Sequence, residues 1–502
     1  MELSSLFSNV ALGLSVAVSL QNLFWCLMGA VIGTAVGVLP GVGPTATMAL
    51  LLPATYFLQP EGALIMLAGI YYGAQYGGST TAILINLPGE ASSVVTTLDG
   101  YQMARQGRAG PALAIAALGS FFAGCVATVA IVLAAPPLTR LAQQFAPADY
   151  FSLMILGLVF AVVLARGSVI KAFGMIFLGM LLGLVGTDVN TGNTRFTFGI
   201  SDLFDGIGFV PLVMGVFGIA EIMANLTNPL RRDLVDSRVS GLMPSWDDIK
   251  RSIAPVLRGT ALGGLLGILP GGGAVLASFS SYTVEKRVSK TPEKFGSGMI
   301  EGVAGPESAN NAAAQTSFIP MLTLGIPSNA VMAMMIGGMM IHGIIPGPQV
   351  MEQKPGLFWG MIVSMWVGNL MLVVLNLPLI GIWVRMLLVP YRLLAVAILF
   401  FCCIGVYSLN NSANEVLIIA LFGVVGYLFM KLDCEPAPLL LGFLLGPMME
   451  VYMRRAMLLS RGDPMVFLQR PLSLGFLVVA VLLLLFAVIP NVRKAREAAF
   501  QE

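Results

Sequence analysis

The segment Gly33-Thr-Ala-Val-Gly-Val-Leu-Pro-Gly-Val-Gly43 decides the fold, because the chain contains a second copy of it. The copy, Gly263-Gly-Leu-Leu-Gly-Ile-Leu-Pro-Gly-Gly-Gly273, lies 230 residues later and is identical at six of eleven positions, including the Pro-Gly pair. Both copies interrupt apolar runs, and a proline inside a helix ends or kinks that helix. The repeat therefore predicts two membrane helices that are each broken at Pro-Gly.

Basic residues on either side of the second copy predict how it enters the membrane. One stretch holds Arg231, Arg232, Arg238, Lys250, Arg251 and Arg258, and the next holds Lys286, Arg287, Lys290 and Lys294. By the positive-inside rule, both stretches are expected on the cytoplasmic side. Each arm of the charge-free run 259–284 has about 11 residues, or ~16 Å of helix, which is too short to cross a ~30 Å core. We therefore expect re-entrant hairpins with tips at Pro40, Gly41, Gly43, Pro270, Gly271, Gly272 and Gly273.

A second pair of breaks supports the repeat. Asn86-Leu-Pro-Gly-Glu-Ala91 resembles Gly325-Ile-Pro-Ser-Asn-Ala330, and each segment follows an apolar helix with polar residues on it. Paired halves with interrupted helices are typical of secondary transporters, since backbone groups freed inside a membrane need a ligand, water or protein partner. The alternative is that the breaks only shape helix packing. We predict two repeated halves, 1–240 and 241–502, within one transport domain, and we expect them to be inverted.

Composition excludes a soluble protein. Of the 502 residues, 57% are hydrophobic and 10% are charged, whereas a soluble domain carries roughly 25% charged residues. The formal net charge of +2 gives no global basic field for nucleic acid. We predict an all-α polytopic membrane protein with roughly 10–12 transmembrane helices plus re-entrant or broken hairpins. The charge-free runs are 3–60, 62–89, 109–139, 172–187, 259–284, 355–384, 393–414, 416–430 and 471–492.

Several motifs resemble those of one transporter family. They are Gly37-Val-Leu-Pro-Gly-Val-Gly-Pro44, Tyr72-Gly-Ala-Gln-Tyr-Gly-Gly-Ser-Thr-Thr81, Asn86-Leu-Pro-Gly89, Leu269-Pro-Gly-Gly-Gly273, Gly305-Pro-Glu-Ser-Ala-Asn-Asn311 and Thr323-Leu-Gly-Ile-Pro-Ser328. In this order they resemble the large TctA-type membrane subunit of the tripartite tricarboxylate transporters. The resemblance extends from about residue 20 to residue 490.

The resemblance implies a function, a location and partners. It implies a multi-pass permease of the bacterial inner membrane that works with a small TctB-type membrane subunit and a periplasmic TctC-type solute-binding protein. The expected substrates are carboxylates such as citrate, other di- or tricarboxylates and some aromatic acids. The expected driving force is an ion gradient, often of sodium. No cofactor, nucleic acid or catalytic residue is expected, and the oligomeric state is left open.

A transported carboxylate would be bound by neutral groups, because the runs 62–89 and 308–341 contain no Lys or Arg. Hydroxyls would bind carboxylate oxygens, whereas Asn side chains and free carbonyls would suit Na⁺; alternatively, these groups hold helices together. The candidates are Ser79, Thr80, Thr81, Asn86, Pro88, Gly89, Asn310, Asn311, Thr316, Thr323, Pro327, Ser328 and Asn329. Glu301 and Glu307 are candidates for cation or proton coupling, with helix capping as the alternative.

Three other functions are alternatives to a permease that depends on a binding protein. A stand-alone cation-coupled carboxylate carrier would need no binding protein. An intramembrane enzyme would need paired carboxylates, a Ser/Lys pair or a metal set within the spans, and the charge-free runs lack these pairs. A passive channel would favour rings of repeated charge, and the sequence has none. No G-x-x-x-x-G-K-[ST] loop occurs, so ATP is not expected to drive this chain.

Overall fold

The computed structural model describes residues 3–39, 43–165, 168–188, 190–227, 241–269, 273–387 and 391–488. The predicted tips Pro40, Gly41, Pro270, Gly271 and Gly272 lie outside these residues, as does the predicted boundary between the halves. Most of the described chain is helical. The single sheet among the described residues pairs β1 (Gly186–Thr187) with β2 (Thr194–Arg195) in antiparallel register.

The helices follow in the order of the chain. Those of the first half are α1 (Leu3–Ala17), α2 (Leu20–Val38), α3 (Pro44–Thr55), α4 (Pro60–Ile85), α5 (Val94–Arg105), α6 (Ala109–Gln143), α7 (Pro147–Leu164), α8 (Val169–Gly183), α9 (Phe209–Val213) and α10 (Ala220–Thr227). Those of the second half are α11 (Trp246–Leu266), α12 (Gly273–Val288), α13 (Glu301–Thr316), α14 (Phe318–Leu324), α15 (Ala330–Ile341), α16 (Val350–Gln353), α17 (Pro355–Asn376), α18 (Ile380–Met386), α19 (Tyr391–Asn410), α20 (Ala413–Lys431), α21 (Pro436–Leu459), α22 (Val466–Gln469) and α23 (Pro471–Val488). A π-helical segment, Met214–Ile219, joins α9 to α10.

This is an all-α polytopic membrane protein, as the composition predicts. Among the described residues, six helices are long and apolar enough to cross a membrane, and six shorter apolar helices accompany them. Large apolar side chains face outward, for example Phe401, Leu421 and Leu482. Contiguous exposed apolar surface is costly in water but suits the hydrocarbon core of a bilayer. The count of full crossings stays a prediction.

The arms around the second Pro-Gly are longer than the charge-free run suggests. α11 has 21 residues and α12 has 16, rather than about 11 each. The helix continues through Arg251 and Arg258 because each guanidinium pairs with a glutamate, Glu301 and Glu285 respectively. At 1.5 Å per residue α11 is ~31 Å long, so helix length alone no longer requires re-entry. The re-entrant path stays a prediction.

Glycines bring the helix before each Pro-Gly break, α2 or α11, into backbone contact with the second helix after the break, α4 or α13. A Cβ at Gly33 in α2 would lie 2.4 Å from the carbonyl oxygen of Ile70 in α4, and a Cβ at Gly37 would lie 2.3 Å from that of Ala74. The second half repeats this contact between α11 and α13, where a Cβ at Gly263 would lie 2.1 Å from the Ala309 carbonyl oxygen. Small residues every fourth position allow such close approach, so the sequence repeat is also a repeat of packing.

Helices of each predicted half pack against helices of the other. α6 packs on α11 and α13, and its counterpart α17 packs on α2 and α4. Likewise α8 packs on α21, while α20 packs on the segment from α9 to α10. The helices around each broken arm therefore come from both halves, and the two halves enclose one core.

Gly263→Ala is expected to destabilise the protein, whereas Gly264→Ala is not, although the two positions are adjacent. A Cβ at Gly264 meets no heavy atom within 4 Å, in contrast to the 2.1 Å contact at Gly263. Overpacking costs about 1–3 kcal/mol, whereas alanine in place of an unconstrained helical glycine gains up to about 1 kcal/mol. Thermal unfolding of the two variants in detergent measures the difference. Equal midpoints would contradict the packing described for α11 and α13.

Candidate functional site: a cavity where the helix breaks meet

The four predicted breaks meet at one cavity of about 700 Å³, which we call the central cavity. Gly43 and Gly273 come from the two Pro-Gly breaks, and Gly89 and Asn329 come from the second pair. The remaining wall comes from α7, the π-helical segment, α10, α12 and the start of α21. Residues from both halves therefore enclose a space large enough for a small organic anion.

The second pair of breaks forms by the same local chemistry in both halves. α4 ends at Asn86 and α14 ends at Gly325, which adopt left-handed φ values of 57° and 72°. Such a residue is a common way to end a helix, and a proline two positions later cannot continue it. The next helical segment then begins with a side-chain cap in both halves. Glu90 accepts a hydrogen bond from the Ser92 N–H at 2.8 Å, and Asn329 accepts one from the Met332 N–H at 2.9 Å.

Four helices begin at the central cavity: α3, α12, α15 and α21. The first N–H groups of a helix have no partner within that helix, and the aligned peptide dipoles add partial positive charge there. Both features favour an anion. The described lining of the central cavity therefore combines electropositive helix starts with no basic side chain.

The charged side chains of the central cavity are all acidic. Glu90, Glu221 and Glu435 line it, and none of its described lining residues is Lys or Arg. Glu221 accepts a hydrogen bond from the Gly43 N–H at 3.2 Å, directly before α3. Glu435 occupies the position before α21. Carboxyl groups of the protein therefore lie at the starts of α3 and α21, where an ionised carboxylate would repel an anionic ligand.

Part of the predicted site lies at this cavity. Pro88, Gly89 and Asn329 line it. The Asn329 Nδ2 donates to the Tyr71 hydroxyl at 3.2 Å. Asn310 lies directly behind the wall, where its Nδ2 donates to Glu90 Oε1 at 3.2 Å.

The other candidates contact protein groups elsewhere. Thr81 donates to the Val38 carbonyl at 2.9 Å and so ties α4 to the end of α2. The hydroxyls of Thr316, Thr323 and Ser328 donate to the backbone carbonyls of Ala312, Ile319 and Ser317. Pro327 is buried, and Asn86 is exposed at its helix end. Ser79, Thr80 and Asn311 belong to a second polar cluster around Glu307.

Glu307 is fully buried and receives hydrogen bonds from two hydroxyls, those of Ser79 and Thr96. Thr96 and Ser79 lie in the first half and Glu307 in the second, so this cluster joins the halves. Asn311, one turn later on α13, donates to the Ser120 hydroxyl of α6 at 2.7 Å. Among the described residues, no Lys or Arg forms an ion pair with Glu307.

A small cavity of about 10 Å³, which we call the polar chamber, adjoins this cluster. Its polar lining residues are Tyr76, Ser79, Thr80, Ser120 and Asn376. The Asn376 Oδ1 is buried and has no hydrogen-bond partner among the described residues. A chamber of this volume holds about one water-sized occupant, and its oxygen lining suits a water or a small monovalent cation.

Glu301 has a different environment. It is the first residue of α13, and both of its carboxylate oxygens accept from Arg251 at 2.8 Å. A carboxylate in the first turn interacts favourably with the helix dipole. These contacts fit the capping interpretation that the sequence left open for Glu301.

Sequence reasoning missed Glu221, Glu435, Tyr71 and Gln75 as lining residues. One signal could have found Glu221, because it is the only charged residue in the stretch 209–227. An ionisable residue inside a membrane span is rare and is usually functional. Tyr71 and Gln75 gave no such signal. The packing of α4 against other helices decides which of its faces meets the central cavity.

Comparison with known proteins places the chain in a family. The sequence profile of the tripartite tricarboxylate transporter TctA family matches residues 23–441. The chain belongs to the TctA family. A TctA protein is a component of a transporter and not an enzyme.

Two proteins from Agrobacterium vitis are similar to this chain. An uncharacterized 52.8 kDa protein in the TAR-I ttuC' 3' region is 58% identical over 497 residues, which is 99% of each chain. An uncharacterized protein in the TAR-II ttuC' 3' region is 57% identical over 240 residues, covering 48% of this chain and 99% of that one. No solved structure matches the chain.

Proposed function

We propose that this protein imports carboxylates across the bacterial inner membrane, driven by an ion gradient. It receives its substrate from a TctC-type periplasmic binding protein and works with a TctB-type small membrane subunit, as the TctA family suggests. The observation that carries the proposal is the meeting of four helix starts and three glutamates at one central cavity formed by both halves. That combination suits an anion that arrives together with cations.

The substrate would be bound mainly by backbone N–H groups and neutral side chains. Helix starts attract carboxylate oxygens, and Asn329 adds an amide beside the start of α15. A permease that bound its anion through a buried arginine would release it slowly, whereas neutral donors allow release. The remaining candidates, including Thr81, Thr316, Thr323 and Ser328, would support the site by holding its helices in place.

Coupling would run through Glu307 and the polar chamber beside it. A buried carboxylate that receives only hydroxyl hydrogen bonds is stable when it is protonated or when a cation lies next to it. The neighbouring oxygens of Ser79, Thr80, Ser120 and Asn376 are of the type that Na⁺ prefers. Because the cluster joins the two halves, binding of an ion there would bias their relative arrangement. Glu301, which is paired with Arg251, is the weaker of the two coupling candidates.

Transport into proteoliposomes tests this function. The protein and its small membrane partner are reconstituted together, and uptake of labelled citrate and other carboxylates is followed with and without a sodium gradient. A proton gradient is tested in parallel, and the binding protein is added outside or omitted. We expect uptake that needs both a gradient and the binding protein. Uptake without the binding protein would favour the stand-alone carrier, and no uptake of any carboxylate would contradict the proposed substrate class.

A further inference from the structure

Four oxygen-bearing side chains meet in the wall of the central cavity, and we call them the oxygen cluster. They are Gln75 of α4, Glu90, Ser92 and Asn310 of α13, and two of them, Gln75 and Glu90, line the cavity itself. Each is less than one-tenth exposed. Three members belong to the first predicted half and Asn310 to the second. The coupling proposed at Glu307 uses none of these side chains.

Ser92 has too few hydrogens for the oxygens around it. Its hydroxyl oxygen lies 2.9 Å from Gln75 Oε1 and 2.8 Å from Asn310 Oδ1, and it also contacts Glu90 Oε1. A hydroxyl group has one hydrogen, so it donates to only one of these three acceptors at a time. The other two contacts bring lone pairs together without a hydrogen between them, which is unfavourable in a buried site.

Turning the side-chain amides does not remove this shortage. If the Gln75 amide is turned, its NH₂ group donates to the Ser92 oxygen, but Glu90 and Asn310 still compete for the one Ser92 hydrogen. The Asn310 amide is held in its orientation, because its Nδ2 donates to Glu90 Oε1 at 3.2 Å. Turning it would bring its oxygen against the carboxyl group instead. An added cation or proton would remove the shortage.

Glu90 is not the residue that capping alone would favour. The matching position in the second half is Asn329, which caps α15 with its amide oxygen. Asparagine, aspartate and serine are the preferred caps, so the cap gives no reason for a glutamate. The Glu90 side chain also lies directly against α4, where a Cβ at Gly78 would be 2.9 Å from Glu90 Cγ. The oxygen cluster therefore contains a closely packed carboxyl group whose charge the cap does not require.

We propose that the oxygen cluster binds a monovalent cation, Na⁺, between Glu90, Ser92, Gln75 and Asn310. A cation at this point interacts favourably with all four side-chain oxygens at once, and oxygen ligands suit hard cations. One carboxylate among three neutral groups balances a single positive charge. Because the site lies in the wall of the central cavity, the cation also offsets the repulsion between Glu90 and a transported carboxylate. This role in uptake rests on the proposed transport function, whereas sodium binding itself does not.

Sodium binding to the purified protein in detergent tests the proposal without substrate, binding protein or gradient. Binding of radioactive sodium is measured by scintillation proximity, and thermal unfolding is followed in sodium, potassium and choline chloride at equal ionic strength. The chain carries Glu307→Gln, so that a cation at the polar chamber does not contribute. We expect saturable sodium binding and a higher unfolding midpoint in sodium than in choline.

This binding test and the uptake test can fail separately. Sodium binding in a protein that takes up no carboxylate would contradict the proposed substrate class and keep the cation site. Absence of saturable sodium binding would overturn the site, whatever drives uptake, and would leave a proton on Glu90 as the source of the missing hydrogen. Potassium that competes as well as sodium would overturn the assignment to Na⁺.

Glu90→Gln locates the binding. Glutamine has nearly the same size, can still accept the Ser92 N–H, and its NH₂ group supplies a hydrogen to the oxygen cluster. We expect sodium affinity to fall by at least about 10-fold, because the charge next to the cation is lost. The unfolding midpoint in choline should equal or exceed that of the parent, which a merely structural carboxylate would not give.

Glu61→Gln is the matched control for Glu90→Gln. It removes the same charge from the first turn of α4, the helix that also carries Gln75, but outside the oxygen cluster. Gln75→Met provides a second variant, since it removes one cluster oxygen without changing the charge, and it should also weaken sodium binding. Equal sodium affinity in Glu61→Gln and Glu90→Gln would overturn the proposed site, as would unchanged binding in Gln75→Met.

Discussion

Glu307→Gln is expected to lower gradient-driven carboxylate uptake by roughly 100-fold, because the amide can neither carry a proton nor supply the negative charge that balances a cation. Two hydroxyls of the first half donate to this buried carboxyl group of the second half, and a coupling free energy of about 3 kcal/mol corresponds to that factor. Glutamine has nearly the same size, so the packing between α4, α5 and α13 is kept. The variant therefore separates coupling from folding.

Uptake and exchange are measured side by side in the same proteoliposomes. Exchange of labelled for unlabelled substrate needs no net movement of the coupling ion, so it should fall less than net uptake. Glu301→Gln is the matched control, because Glu301 lies on the same helix but pairs with Arg251 outside the cluster. Normal gradient dependence in Glu307→Gln would exclude Glu307 as the coupling residue.

Asn329→Asp is expected to raise the KM for a carboxylate by about 10- to 100-fold while keeping the cap at the start of α15. The introduced carboxylate lies at the central cavity, which Glu90, Glu221 and Glu435 also line. Its repulsion of a bound substrate carboxylate across several ångströms, at an effective dielectric constant of about 20, reaches a few kcal/mol. Aspartate caps a helix as well as asparagine does, so the hydrogen bond from the Met332 N–H is kept. The expected rise in KM is thus electrostatic in origin.

Asn86→Asp provides the control for this charge. Asn86 ends α4 in an exposed, left-handed conformation and does not line the central cavity, and aspartate tolerates that conformation. Uptake is measured over a range of substrate concentrations for both variants, and unfolding midpoints are compared with the parent protein. If the two variants raise the KM equally, the start of α15 is not part of the anion site.

Much of the framework follows from the sequence, because its signals are local. The apolar runs and the low charge content require a membrane environment. Pro88 and Pro327 disfavour continuation of their helices, since proline lacks an N–H and its ring clashes with the preceding turn. The spacing of Gly33 and Gly37, repeated at Gly263 and Gly267, already indicates close helix contact. These features depend on neighbours within one or two helical turns.

Which side chains face the central cavity was decided only by the tertiary structure. Ser79, Thr80 and Thr81 are consecutive, yet they contact Glu307, the polar chamber and the end of α2 respectively, because successive helical residues point about 100° apart. Glu221 meets Gly43 across 178 positions of sequence, a contact that no local pattern encodes. The sequence by itself determined where the helices break. The tertiary structure alone decided that the breaks meet at one cavity lined with acidic side chains, because that meeting depends on helices that each half packs against the other.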